Sequence, residues 1–455
     1  MNNDKNTEEP SKLELKGQKK EIKLINQGTY GCIYHPGINC QTGKKEPDEF
    51  LTKIQLKETT STNEIEIGSI IQKINGFQYY YAPILENCDI TLATIGEDNI
   101  KKCDPLTSAI KSDTRAEFVS NKIQYVGKNT LANYFLQLLD VGKLQMKKVF
   151  EKIPDIHLFL LESIKQLADL DIVHFDLKEN NIMWDEQNDV PKIIDFGLSI
   201  QINKLTPKTY KDSFYTLYDT YSPWCIDIII LSFIADKYAN NIKNIDKFIE
   251  EKIQNVGDIK KHCENYVINS DVFVKNVFSK NEISAFLTQI NTYVDGFVGK
   301  TWKIVSDETI KNYKTWDNYS IAIMNMKLIS DIGIIWSEPE QLRSKGVGEL
   351  LNYVDKVDGV DNQNSGFMKE YVQLLKDIIL ALPDKRKSLE DTAAQIKSIF
   401  GKIKKSDYES LIEKMVSKYA RPENMTKIKQ NVDQRGIEQL SDDDKIESLR
   451  KSKDV

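Results

Sequence analysis

The chain has 455 residues, 40% hydrophobic and 29% charged, enough apolar content for about two to four structural units and too much chain for a single small binding module. Lys+Arg 62 against Asp+Glu 68 leaves a net charge of -6, so no global basic excess marks a nucleic-acid or anionic-membrane partner. The start lacks the apolar core of a signal peptide, and the longest apolar stretch, Cys225 to Ala235, contains Asp227 and falls far short of the ~20 residues of a membrane span, so an intracellular, cytoplasmic protein is expected.

Residues 1–20 mix both charges with few large apolar side chains, the composition of a disordered arm. Short β-type runs follow at Ile22–Asn26, Cys32–His35 and Phe50–Gln55, then a helical stretch, Asn63–Ile74, and a further β-type run, Tyr79–Ile84. Residues of about 95–118 are polar and broken by Gly96 and Pro105, an insertion before the apolar run Ile123–Val126. From Leu131 onward helical periodicity dominates, as in Leu158, Leu161, Ile164 and Leu167. Beyond residue 400 the chain becomes highly charged, which predicts solvated helices and a frayed tail over 401–455. The cysteines, Cys32, Cys40, Cys88, Cys103, Cys225 and Cys263, form no C-x-x-C pair, and only 4 histidines accompany them. That usage fits a reducing compartment.

Four constellations carry chemistry. Asn26-Gln27-Gly28-Thr29-Tyr30-Gly31-Cys32-Ile33 is a turn between β-type runs; its glycines let backbone N–H groups approach phosphate oxygens, and Ile33 can cover a purine ring. Lys53 lies inside an apolar strand run, and Glu64 or Glu66 on the next helix can hold it; Glu64 is favoured because Ile67 and Ile71 then form the packing face. In His174-Phe175-Asp176-Leu177-Lys178-Glu179-Asn180-Asn181, an aspartate can accept a hydroxyl proton, a lysine can neutralise a transferring phosphoryl group and an asparagine can bind a metal. In Ile193-Ile194-Asp195-Phe196-Gly197, a carboxylate at a strand end suits a hard cation such as Mg²⁺.

Together these motifs closely resemble the eukaryotic-type protein kinases, over roughly residues 22–400. The resemblance implies an α+β, bilobal fold: an N-lobe at about 21–126, rich in β-structure, and a helical C-lobe at about 127–400, with ATP and Mg²⁺ (or Mn²⁺) between them. Gly28, Gly31, Ile33, Lys53 and Glu64 would surround the nucleotide, with backbone groups of Gln124 and Val126 meeting the adenine. Asp176 would be the catalytic base, Lys178 the phosphoryl-stabilising cation, and Asn181 and Asp195 the metal ligands. Lys178 points to the serine/threonine branch and to protein substrates. Tyr221-Ser222-Pro223-Trp224 stands where the family has A-P-E, Asp317-Asn318-Tyr319-Ser320 resembles the start of the central helix with Asp227 as its competitor, and Arg386 matches a late family arginine. This register leaves about 228–312 as a large helical insertion, a candidate for binding another protein.

Two departures stand out. Trp224 replaces the family glutamate, so the usual ion pair with Arg386 is expected to be lost. Phe175 replaces the arginine of H-R-D and is expected to pack on Phe214, Tyr215 or Leu217. The large insertions and such departures resemble the divergent kinases of large DNA viruses. A small-molecule kinase and a pseudokinase scaffold are the alternative readings; Leu177-Lys178 and Phe196-Gly197 favour a protein kinase over the first, and the filled polar positions favour an active enzyme over the second.

Overall fold

The computed structural model describes residues 21–28, 31–113, 115–140, 143–214, 221–270, 273, 278–336, 366–401 and 430. The expected arm at 1–20, and the tail apart from residues 401 and 430, lie outside them.

Strands β1 (Lys23–Gly28), β2 (Gly31–His35), β3 (Phe50–Leu56), β4 (Ile84–Ile90) and β5 (Phe118–Gln124) form an antiparallel sheet in the order β1-β2-β3-β5-β4. One face carries helix α1 (Thr59–Ile71), which buries Glu64, Ile67, Gly68 and Ile71 along a single stripe. A Cβ at Gly68 would stand 2.7 Å from the Ile84 carbonyl oxygen, so only glycine lets α1 approach β4 this closely.

The expected strand at Tyr79–Ile84 is corrected: Phe77–Tyr80 form a helical turn, α2, and the strand begins at Ile84. Gly76, at φ 73°, opens that turn. The tyrosines then serve lobe packing rather than a ladder, since Tyr80 stacks on Phe159 at 5.1 Å and Tyr81 donates to the Ser163 carbonyl at 2.5 Å.

The insertion expected at 95–118 starts earlier and ends before β5, as helices α3 (Leu92–Ile95), α4 (Glu97–Lys101) and α5 (Asp104–Ser112). They cover the second face of the sheet, where Ile54, Tyr34, Ile90, Leu106 and Phe118 make a small core. The reading of the scattered cysteines as those of a reducing compartment is also corrected. Cys32 is bonded to Cys103 and Cys40 to Cys88, across 71 and 48 residues of sequence. The return of the insert onto the sheet brings Cys103 to Cys32 on β2, while Cys40, in the connection between β2 and β3, meets Cys88 on β4; no local spacing could reveal either pair. The cysteine argument for a reducing compartment therefore falls.

The described residues after β5 are mostly helical and share one large core. Helices α6 (Leu131–Asp140) and α7 (Lys143–Ala168) precede two short ladders, β6 (Ile172–Val173) with β9 (Ile200–Gln201) and β7 (Ile182–Asp185) with β8 (Val190–Ile193). The helix Trp316–Trp336 packs against α7 and the helix Gly366–Ile379, with Trp316, Tyr319, Ile321 and Ile329 buried. The described residues of the stretch expected as an insertion, about 228–312, are mostly helical. Its first helix, Ile226–Asn240, is buried from Ile226 to Ala235 and packs against Gly257–Asn269 and Trp302–Ile310. Among the described residues no helix is long and apolar enough to cross a membrane.

One buried group ties stability to pH. His157 on α7 is 0% exposed; its Nδ1 meets the Tyr371 hydroxyl at 2.7 Å and its Nε2 has no partner. Burial pushes its pKa down to about 3. Between the ordinary value near 6.5 and about 3, the unfolded chain binds a proton that the folded chain refuses. Stability should then fall by about 1.4 kcal/mol for each pH unit below 6.5 from this group. Urea unfolding midpoints of wild type and His157→Gln across that range check it: the variant should show the flatter slope, and equal slopes would contradict the assignment.

Candidate active site

Lys53 and Gln55 alternate with Ile54 along β3, so both face away from the small core and toward α1. There Lys53 Nζ lies 2.9 Å from Glu64 Oε2 and 3.2 Å from Asp195 Oδ1, and Gln55 donates to Glu64 at 3.1 Å. The choice between Glu64 and Glu66 is decided by the helix face: Glu66 is turned outward and paired with Lys204. Burial pulls the Lys53 pKa down, but Asp195 and Glu64 together more than reverse this and hold it above the ordinary value. Burial pushes Glu64 up against the opposing pull of Lys53. Burial likewise opposes ionisation of Asp195, yet Lys53 prevails and keeps that pKa below the usual range. The result is a fixed ammonium between two carboxylates, one on α1 and one in the turn after β8. Asn63 on α1 adds a tie, donating to the carbonyls of Gly197 at 3.2 Å and Ser199 at 2.8 Å.

The second group sits on the loop between β6 and β7. Asp176 Oδ2 accepts from Asn181 Nδ2 at 2.7 Å, and its Oδ1 lies 3.2 Å from Lys178 Nζ and accepts from the Tyr221 hydroxyl. The loop is anchored from below: Asp317 accepts from the backbone N–H groups of His174 at 2.7 Å and Phe175 at 3.1 Å. Asp317, and not its competitor Asp227, therefore occupies the position beneath the loop. His174 meets the Ile194 carbonyl at 3.0 Å and packs edge-on against Phe196 at 5.1 Å. Asp195 itself is in a left-handed conformation, φ 62°, which turns it back toward Lys53.

Above this cluster, β1 and β2 pair Gly28 with Gly31, while Thr29 and Tyr30 lie outside the described residues. A Cβ at Gly31 would stand 2.2 Å from the Ile54 carbonyl, so this crossing demands glycine. Ile33 is directly opposite Lys53 in the β2–β3 register and shares its face. Gln124 ends β5 opposite Phe50, and Val126 follows, half-buried; between them Tyr125 N–H donates to Glu49 at 2.8 Å. An unforeseen contact fixes the glycine hairpin: Gln27 exchanges hydrogen bonds with Asp104 of α5 at 3.0 and 3.2 Å, beside the Cys32–Cys103 bridge.

This cradle suits a nucleotide triphosphate and a hard divalent ion. Asn181 uses its amide nitrogen on Asp176, which leaves its oxygen as the donor for a metal, and Asp195 contributes carboxylate oxygen with its side chain 38% exposed.

The expected loss of an ion pair at Arg386 is corrected. Its guanidinium meets Asp227 at 2.6 Å with both side chains fully buried, and Trp316 Nε1 donates to the same carboxylate at 3.1 Å. The carboxylate has moved three residues along the chain from Trp224. Trp224 meanwhile meets the other departure, donating its Nε1–H to the Phe175 carbonyl at 2.9 Å with the rings 4.9 Å apart. Phe175 also touches Phe214 at 6.1 Å, while Tyr215 and Leu217 lie outside the described residues. Two substitutions that read separately as lost polar contacts thus form one apolar contact.

The protein kinase domain model matches residues 120–221, from within β5 through the Asp176 and Asp195 segments to Tyr221. The chain is also similar to the probable serine/threonine-protein kinase fnkB of Dictyostelium discoideum, 23% identical over 154 residues. That match covers 33% of this chain and 28% of the length of that protein. A eukaryotic-type protein-kinase domain is therefore present.

Proposed function

We propose that the chain is an active serine/threonine protein kinase of bilobal fold that transfers the γ-phosphoryl group of ATP to protein hydroxyls. The observation that supports this reading is that Lys53 pairs with Glu64 and Asp195, that Asn181 donates to Asp176, and that the two groups adjoin where Ile194 N–H donates to the Asn181 carbonyl at 3.0 Å.

Glu64 holds Lys53 charged and aimed at the α- and β-phosphates. The backbone N–H groups at Gly28 and Gly31 would cradle the phosphates, and Ile33 would cover the adenine held by Gln124 and Val126. Asn181 and Asp195 would hold Mg²⁺, which supplies charge neutralisation at the phosphates when bound. Asp176 orients the acceptor hydroxyl and takes its proton, while Lys178 stabilises charge developing on the transferred group. Lys178 and the similarity to the probable serine/threonine-protein kinase of Dictyostelium support the serine/threonine assignment. The large insertions and the departures at Phe175 and Trp224 support kinship with the divergent kinases of large DNA viruses, and with it an intracellular site of action.

Metal dependence tests the mechanism. Transfer should require Mg²⁺ or Mn²⁺, and Asp195→Ala should lower it more than about 100-fold. Transfer that continues undiminished in excess chelator would contradict the assignment of Asn181 and Asp195.

A further inference from the structure

The glycine hairpin has little packing of its own to hold it. Every residue of β1 is exposed or half-buried, and the strand sits at the edge of the sheet, paired to β2. A two-stranded ribbon is marginal in water, and glycine loses more freedom on ordering than any other residue. The insert α3–α5 supplies the missing support. In the β1–β2 register Gln27 stands opposite Cys32, the pair next to Gly28 and Gly31. Both members of that pair are tied to consecutive residues at the start of α5: Cys32 to Cys103 by the disulfide, and Gln27 to Asp104 by hydrogen bonds of 3.0 and 3.2 Å. One of those bonds comes from the Asp104 backbone N–H, a first-turn group with no acceptor within its own helix. A further tie runs from the buried Tyr34 on β2, whose hydroxyl donates to the Asn99 carbonyl of α4 at 3.0 Å. Helix α5 is anchored in turn, since Cys103, Leu106 and Ala109 are buried in the small core with Ile54 and Phe118.

We propose that the insert is a clamp on the nucleotide site, with Cys103 and Asp104 as positioning residues that hold Gly28 and Gly31 where their backbone N–H groups meet the phosphates; this rests on the kinase reading above. Cys32 is opposite Ile54 in the β2–β3 register, so the ties lie on the small-core face of the sheet, away from Lys53. They act by removing conformations of the free hairpin, and ordering that the phosphates would otherwise have to induce on binding is already complete. Hairpin N–H groups hold the phosphates alike before and during transfer. Cutting the clamp therefore weakens nucleotide binding and leaves the chemical step.

The test titrates the full chain with Mg²⁺-ATP, Mg²⁺-ADP and adenosine, comparing wild type, Asp104→Ala, Asp104→Asn and the paired variant Cys32→Ala with Cys103→Ala. Asp104→Ala should weaken ATP and ADP by about 2- to 10-fold, the worth of one hydrogen bond. Asp104→Asn keeps an acceptor oxygen for Gln27 and loses the charge, so it should bind both like wild type; the contrast between the two neutral variants isolates the bond from the charge. The bridge-free pair should lose more than about 10-fold. Adenosine, which has no phosphate, should bind within about twofold of wild type in every variant, and the KM for ATP should rise with kcat at saturating ATP unchanged. If the bridge-free pair does not fold, the two Asp104 variants decide the matter. ATP affinity unchanged in Asp104→Ala, or ATP and adenosine weakened by the same factor, would overturn the clamp and leave the kinase reading standing. A folded wild-type chain that binds no ATP would overturn both.

Discussion

Asp176→Asn should fold, bind ATP with unchanged affinity and lose about 10²- to 10⁴-fold in turnover. The carboxamide has the size of the carboxylate, and the loop that carries it is fixed independently by the two N–H bonds into Asp317 and by Asn181 N–H donating to the Lys178 carbonyl at 2.9 Å. What disappears is the proton acceptor, and general-base assistance is worth about that range. Steady-state rates on a protein substrate, with nucleotide affinity measured separately, check this. A folded variant that turns over at the wild-type rate would show that Asp176 is not the base.

The largest effect on stability is expected far from the cleft, at Arg386→Leu, with a loss of about 3–5 kcal/mol. The Arg386 and Asp227 side chains are both fully buried at 2.6 Å, so removing the cation leaves a buried carboxylate with only the neutral Trp316 Nε1–H and Cys225 thiol among its side-chain donors. Removing both charges is far cheaper than removing one, because no uncompensated charge remains. The double variant Arg386→Leu with Asp227→Leu should accordingly recover most of the loss. Denaturant unfolding of the single and double variants gives the comparison. A single-variant loss below about 1 kcal/mol would mean that the pair is solvated or free to separate.

The sequence was most informative where chemistry is written within a few consecutive residues. Lys53, the Asp176 loop and the Asp195 turn could each be read locally, and the preference for Glu64 over Glu66 followed from the helical stripe that Ile67 and Ile71 define. The placement of Asp317 beneath the loop was legible for the same reason, from the aromatic and small residues around it. Contacts between distant segments were hidden. Nothing near Cys32 points to Cys103, because the pairing depends on an insert whose own path is set by burial against β2 and β3. The partner of Arg386 is hidden because the family pattern puts its glutamate at the position of Trp224, whereas the carboxylate stands at Asp227 on the next helix. Gln55 gave a weak signal, since its position two residues after Lys53 on a strand puts it on the same face. The strand expected at Tyr79–Ile84 failed because aromatic residues favour strands only where a ladder neighbour exists, and here the tyrosines pack onto α7.

The most direct measurement is transfer of label from γ-labelled ATP by the purified chain, with Mg²⁺ and a mixed protein lysate, followed by phosphoamino-acid analysis and comparison with Asp176→Asn. The account predicts phosphoserine and phosphothreonine in lysate proteins, absent with the variant. Label that enters only small molecules, or no transfer from folded chain that binds ATP, would contradict it.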